Sequence, residues 1–277
     1  MVVHLHEAEV DAEPLGPGLY RQRLLTPERV PGTRVLLDRI TMEAGAQLDL
    51  TVAADGLAWF QLIEGAARLV GEGADEALSK RHVTFLPPGF EGRLEARDAA
   101  ALILAEVPKA TLLDPDFANS PPALRVVDWQ REPVLASEHD ARSRIYLATP
   151  KLFGTRAIKG EMIIYPPLTA GADHHHVGAD HFMFFLKGSG TAYAGGKPIR
   201  VRAGDVVYYP DLERHWLQAD ADGEMAFVEF FVPGAFETVW AEPQKACTWN
   251  PTGRDFSGGM PAREIARHGG GNPGVEV

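Results

Sequence analysis

The chain has 277 residues, 45% of them hydrophobic, with 38 acidic against 27 basic side chains and a formal net charge of −11. That length fits one large or two ordinary domains. The acidic balance argues against a nucleic-acid partner, which calls for a basic face, and reads as a solubility feature. No apolar run is long enough to span a bilayer. The first residues, Met1-Val-Val-His-Leu-His-Glu7, lack the basic and apolar regions of a secretory signal, and the single cysteine, Cys247, cannot form an internal disulfide. Cytoplasmic residence is the resulting expectation.

From the amino terminus onward, short runs of Val, Ile, Phe and Tyr alternate with Gly and Pro turns. This is the pattern of an all-β sandwich or barrel rather than of βαβ units. Helical periodicity is weak throughout; the best candidates are a turn near Pro115–Asn119 and a segment over Pro261–His268. Residues 109–150 are rich in Pro, Asp and Ser, with a strand expected over Leu124–Trp129. From Ala241 onward the chain holds Gly, Pro and Arg and reads as an irregular tail draped over a barrel.

The two halves repeat at an offset of 123 residues. Trp59-Phe-Gln-Leu-Ile-Glu-Gly65 matches Phe182-Met-Phe-Phe-Leu-Lys-Gly188, Phe85-Leu-Pro87 matches Tyr208-Tyr-Pro210, and Arg39-Ile40 matches Met162-Ile163. Two copies of one domain are expected, residues 1–110 and 111–277.

Five of the ten histidines fall within 42 residues of the second copy. Alternate side chains of a strand share a face, so His174 and His176 point the same way and His175 points away. His181 follows a Val-Gly-Ala-Asp turn and can return on the next strand. His215 follows a strand bounded by Gly204 and Pro210 and can close the site. At the matching positions the first copy has Thr51, Ala53, Ala58 and Gly92, none of them a good metal ligand. The joint absence argues that His174, His176, His181 and His215 act as one unit, binding one divalent transition metal. His4 and His6 lie in an unpatterned terminus and are not read as ligands.

Glu229 sits inside the apolar run Ala226–Val232, where a carboxylate is costly unless it is paired or faces a cavity. It is a candidate acid/base, against an ion-paired or edge-facing role. Tyr208 and Tyr209 precede Pro210 and one must face inward; Tyr209 is taken as the catalytic candidate. Arg156 is weighed as a clamp for a substrate carboxylate, with a surface position as the better reading.

At these residues the chain resembles the cupin superfamily in its two-barrel (bicupin) form. Leu168 stands at the first glycine of one cupin motif, His174-x-His176 fits, His181 takes the place of the motif's glutamate, and Gly188 closes it. Gly204, Pro210 and His215 fit the second motif, with Leu212 in place of a glycine and Ala219 in place of an asparagine. The resemblance implies two jelly-roll barrels, with the metal site only in the carboxy-terminal one. The substitution at 181 removes the glutamate that a family mechanism would use as base; Asp180 is the weaker alternative there.

Four neutral imidazoles leave the metal's charge uncancelled, which favours anionic, oxygen-chelating substrates. Iron(II) leads among the metals, with manganese(II), nickel(II), cobalt(II) and zinc(II) open. Three functions follow: an iron(II) dioxygenase as the main reading, a non-redox lyase, cyclase, isomerase or hydrolase as its alternative, and a non-catalytic small-molecule binder. The expected partner is a small molecule, with no nucleic acid and no membrane; a homodimer is compatible with the sequence.

Overall fold

A computed structural model describes residues 1–265. The chain is built almost wholly of antiparallel strands. Among the described residues the one α-helix is the single turn Pro150–Phe153. Turns form at residues 115–119 as expected. No helix forms at residues 261–265, and the rest of that helical candidate lies outside the described residues. No helix of the described residues is long and apolar enough to cross a membrane.

The strands form two compact units. In the first, a seven-stranded sheet and a four-stranded sheet enclose a core that includes Ile40, Leu62 and Leu102 from one and Leu50, Leu69 and Leu94 from the other. In the second, an eight-stranded and a five-stranded sheet enclose Met183, Val207 and Phe227 from one and Ala192, Val201 and Leu217 from the other. Each unit is a sandwich whose facing sheets bury alternate side chains, the architecture of a jelly-roll barrel.

The repeat in the sequence is a repeat of strands. Leu36–Met42 and Lys159–Tyr165, Leu57–Glu64 and Asp180–Lys187, Ala66–Gly71 and Ser189–Ala194, and His82–Leu86 and Asp205–Tyr209 begin at 36 and 159, 57 and 180, 66 and 189, and 82 and 205, each pair 123 apart. The shared glycines have a steric cause. Gly65 and Gly188 have φ of 71° and 73°, and a Cβ on either would lie 2.3 or 2.2 Å from a backbone carbonyl oxygen, of Ala99 or Glu224.

Where the sequence suggested one border after residue 110, the units interleave. The first comprises Glu7–Trp129 with Phe153–Thr155; the second comprises Met1–His6, Gln130–Leu152 and the chain from Arg156. Strand pairing explains two of these departures. Arg125–Asp128 pairs with His82–Leu86 of the first barrel, and Val3–His6 pairs with Asp205–Tyr209 of the second.

Candidate metal centre

The second barrel brings four histidines together from its two facing sheets. His174 and His176 stand on the strand His174–Val177 of the five-stranded sheet, where His174 is the register partner of His215. His181 stands on the strand Asp180–Lys187 of the eight-stranded sheet. The ring centroids of His215 lie 4.4 Å from His174, 5.2 Å from His176 and 4.6 Å from His181. One nitrogen from each of His174, His176 and His215 falls within 4.8 Å of the others, the one such group of ligand-type side chains among the described residues. His181 joins the cluster of rings, 5.0 Å from His176, but not this tighter nitrogen group.

The hydrogen bonding fits a divalent metal. Nδ1 of His174 lies 2.8 Å from the carbonyl oxygen of Ala172, and Nδ1 of His215 lies 2.8 Å from that of Glu213. A carbonyl can only accept, so both Nδ1 atoms carry the proton and both Nε2 lone pairs are free. Nδ1 of His176 is held at 3.1 Å by the Thr238 hydroxyl. Such outer contacts orient metal-binding imidazoles. Nε2 of His181 and of His215 are buried with no hydrogen-bond partner, a costly arrangement unless something else fills the gap. Burial, reinforced by neighbouring histidines, holds His174, His176 and His181 well below the usual imidazole range; burial brings His215 down to about 4. All four are therefore neutral at physiological pH, the form that ligates.

Tyr209 is fully buried, stacked on His181 at 5.0 Å and on His215 at 4.4 Å. Its hydroxyl has no partner, and burial raises it, so the phenol stays protonated. Asp180, the weaker alternative to His181, accepts the backbone N–H of Asp211 at 3.0 Å and serves the loop instead.

A cavity of about 50 Å³ opens beside His174 and His176. That is room for a few waters or a small ligand. Its other wall is the inward face of the eight-stranded sheet. Across that sheet one row runs His181, Phe231, Lys159; two residues along, the next runs Met183, Glu229, Glu161. The strand period of two places both rows on the same face. Lys159 and Glu161 were not anticipated from the sequence, nor were Arg142 and Arg144, which also line the cavity. Arg156, the clamp considered earlier, is exposed on the surface.

These charges are organised around one carboxylate. Glu161 is 1% exposed; its Oε2 lies 3.1 Å from Nε of Arg144 and 3.6 Å from Nζ of Lys159. Glu229 is its cross-strand partner and hydrogen-bonds to it. Burial and the adjacent Glu161 push Glu229 well above the usual carboxylate range, so Glu229 keeps its proton and donates it. Arg142 is matched by Asp140 at 2.7 Å and lies 3.2 Å from Sγ of Cys247.

Comparison with known proteins agrees with this architecture. Residues 161–231 match the family model described as Cupin domain. No curated protein sequence matches the chain. Among solved structures, a point variant of oxalate decarboxylase from Bacillus subtilis aligns with a TM-score of 0.67 and 16% identity over 86% of this chain and 79% of that one. A second oxalate decarboxylase structure, described for an element that modulates proton-coupled electron transfer, aligns at 0.68 and 15% identity with the same coverage. A third, from a study of the Mn(II) centres of the B. subtilis enzyme, aligns at 0.67 and 16%. The carboxy-terminal barrel thus contains the segment that matches a cupin domain, and the chain as a whole shares the two-barrel fold of these structures.

Proposed function

We propose that this protein is a metal-dependent lyase that cleaves a carbon–carbon bond of a small carboxylate, with His174, His176, His181 and His215 holding one divalent metal. The observation that carries this reading is the convergence of Nδ1-anchored imidazoles beside a small cavity whose far wall holds a protonated carboxyl and buried cations. The metal would act as a Lewis acid that binds and polarises carboxylate or carbonyl oxygens. Neutral ligands leave its charge in place, and Arg144 with Lys159 outweighs Glu161, so the cavity favours an anion.

The chain's own residues supply the rest. Glu229 carries the proton that a carbon centre needs once CO2 has left; its O–H bond breaks as the C–H bond forms. The carboxylate so produced lies beside Glu161, with Arg144 and Lys159 as counter-charges. Tyr209 keeps the His181 and His215 rings in place and excludes water behind them. The protein acts in the cytoplasm on a small molecule, alone or as a homodimer.

The iron(II) dioxygenase reading rests on the same imidazoles, which suit several metals. The likeness to oxalate decarboxylase supports the lyase alternative better, and manganese(II) joins iron(II) as a leading candidate. To test this, untagged protein is isolated anaerobically, its metal measured by elemental analysis, and the loaded protein screened for CO2 release from short mono- and dicarboxylates while dissolved oxygen is recorded. CO2 release without stoichiometric oxygen uptake is expected. One O2 consumed per product would replace the lyase by a dioxygenase, and absence of metal under all loading conditions would leave a binding scaffold.

A further inference from the structure

Lys159 is the cavity's one ammonium; as a counter-charge to Glu161 it stands behind Arg144, which lies closer to the same oxygen. It stands on the inward face of the strand Lys159–Tyr165 and is 5% exposed. Its Nζ lies 5.0 Å from the ring centroids of Phe231 and Phe236 and 5.5 Å from that of Tyr146. The nearest carboxylate is that of Glu161, at 3.6 Å, and Arg144 holds the same oxygen more closely at 3.1 Å. Glu161 also accepts the hydrogen bond of the protonated Glu229. The amine is thus surrounded by rings, next to a guanidinium, and sharing an anion already claimed twice. Its place in the repeat adds to this. At the offset of 123, Arg144 and Glu161 meet Arg21 and Asp38 in the first barrel, but Lys159 meets Leu36. The lysine is absent where the four histidines are absent.

We propose that Lys159 is a nucleophilic amine that forms an imine with a small carbonyl compound entering this cavity, a 2-oxo acid being the class that suits the surrounding charge. The inference rests on the cavity wall rather than on the metal, from which Phe231 and Phe236 separate it. The amine lone pair forms the C–N bond while the C=O π pair moves to oxygen. The oxygen then takes both nitrogen protons and departs as water, leaving C=N. Amine and carbonyl give imine and water, with no oxidant or co-reactant. The adjacent Glu229 can lend its proton to the departing oxygen and recover one afterwards. Burial, with the Arg144 charge beside it, brings the ammonium down to about 8 against the pull of Glu161, so a neutral fraction of about a tenth exists at pH 7. Desolvation next to another cation is a known route to a nucleophilic lysine.

The test is reductive trapping. Metal-free and metal-loaded full-length protein are incubated with glyoxylate or pyruvate, reduced with borohydride, and read by intact mass and peptide mapping. Expected is one adduct per chain on Lys159, forming at least about tenfold faster than adducts on the exposed Lys187 and Lys245. K159R and K159M, checked for folding by circular dichroism, should lose that adduct and keep the slow surface ones. If neither variant folds, the wild-type peptide map still decides. No adduct on Lys159, or one no faster than on the surface lysines, overturns the proposal. Because the trap is read on metal-free protein as well, failure of the lyase reading and failure of this inference are seen separately.

Discussion

At the offset that relates the two barrels, Arg144 and Glu161 of the second correspond to Arg21 and Asp38 of the first. Both pairs lie on matching strands, 3.1 Å apart in one barrel and 3.9 Å apart in the other. The carboxyl partners differ. Glu229 stands directly opposite Glu161, whereas Leu104 stands opposite Asp38, with Glu106 two residues along. The four histidines meet Thr51, Ala53, Ala58 and Gly92, and Lys159 meets Leu36. An ion pair kept in a barrel with none of the ligands is part of the scaffold. What belongs to the second barrel alone is the histidine set and Lys159, together with the register that sets Glu229 opposite Glu161; at the offset Glu229 meets Glu106, which does not stand opposite Asp38.

The most damaging test of this division removes a ligand. His215→Ala and His176→Ala should each abolish stoichiometric metal by elemental analysis while leaving the fold intact by circular dichroism. Metal retained at wild-type level in both would remove the functional contrast between the barrels. A subtler change is Thr238→Val, which deletes the hydroxyl on Nδ1 of His176 without touching a ligand atom. A weakening of metal affinity by about 10–100-fold is expected in a competition titration with a chelator. Unchanged affinity would make that contact incidental.

The histidines were legible because alternation within a strand and one constant offset are local properties of a sequence. The wall opposite them was harder to read. Lys159, Glu161, Ile163 and Tyr165 alternate on one face of a strand, and that face meets Glu229 only through a register fixed by distant pairing. The reasoning that singled out Glu229, a charge inside an apolar strand, applied equally to Lys159 and Glu161. Applied to charges, the offset would have separated Lys159 from Arg144. Distant strand pairing set the unit borders, and the sequence did not announce that Val3–His6 pairs with the second barrel. Nor did it say that the His181 nitrogens fall outside the tightest group.

The first barrel's acidic pair offers a pH test. Burial, with a contribution from Glu106, raises Asp38 to about 6 against the pull of Arg21, and burial raises Glu106. A carboxyl whose folded value exceeds its unfolded one favours the folded state when protonated. Its contribution is fully present below the unfolded value near 4 and is lost as pH rises through about 6. Solvent screening of this partly exposed group reduces the effect to about 1–2 kcal/mol. Asp38→Asn should flatten the pH dependence of denaturant stability between pH 4 and 7. A wild-type profile that rises across that window, with the variant unchanged, would break the assignment.

The smallest effect concerns the turns. Leu168 and Leu212 are the two non-glycine residues with positive φ among the described residues, at 62° and 68°. At the matching offset the first barrel has Gly45 and Gly89, with φ of 82° and 71° and open space where a Cβ would stand. The backbone path is therefore common to both barrels; Gly89 and Leu212 even donate to matching carbonyls, of Ala53 and His176. A leucine in this region carries a steric cost of about 1–2 kcal/mol, while a glycine loses about 0.5–1 kcal/mol more conformational entropy on folding. Both leucines are exposed, at 65% and 58%, so little burial is forfeited by removing them. Leu168→Gly and Leu212→Gly should each stabilise the protein by about 0.5–1 kcal/mol, and Gly89→Leu should destabilise it by a similar amount. The measurement is the denaturation midpoint at constant slope, with metal absent so that binding does not enter the comparison. A loss of stability in either leucine variant would mean that the side chain contributes more than its exposure suggests. The exposed apolar turns of the second barrel would then differ from those of the first by design of the surface rather than by tolerated strain.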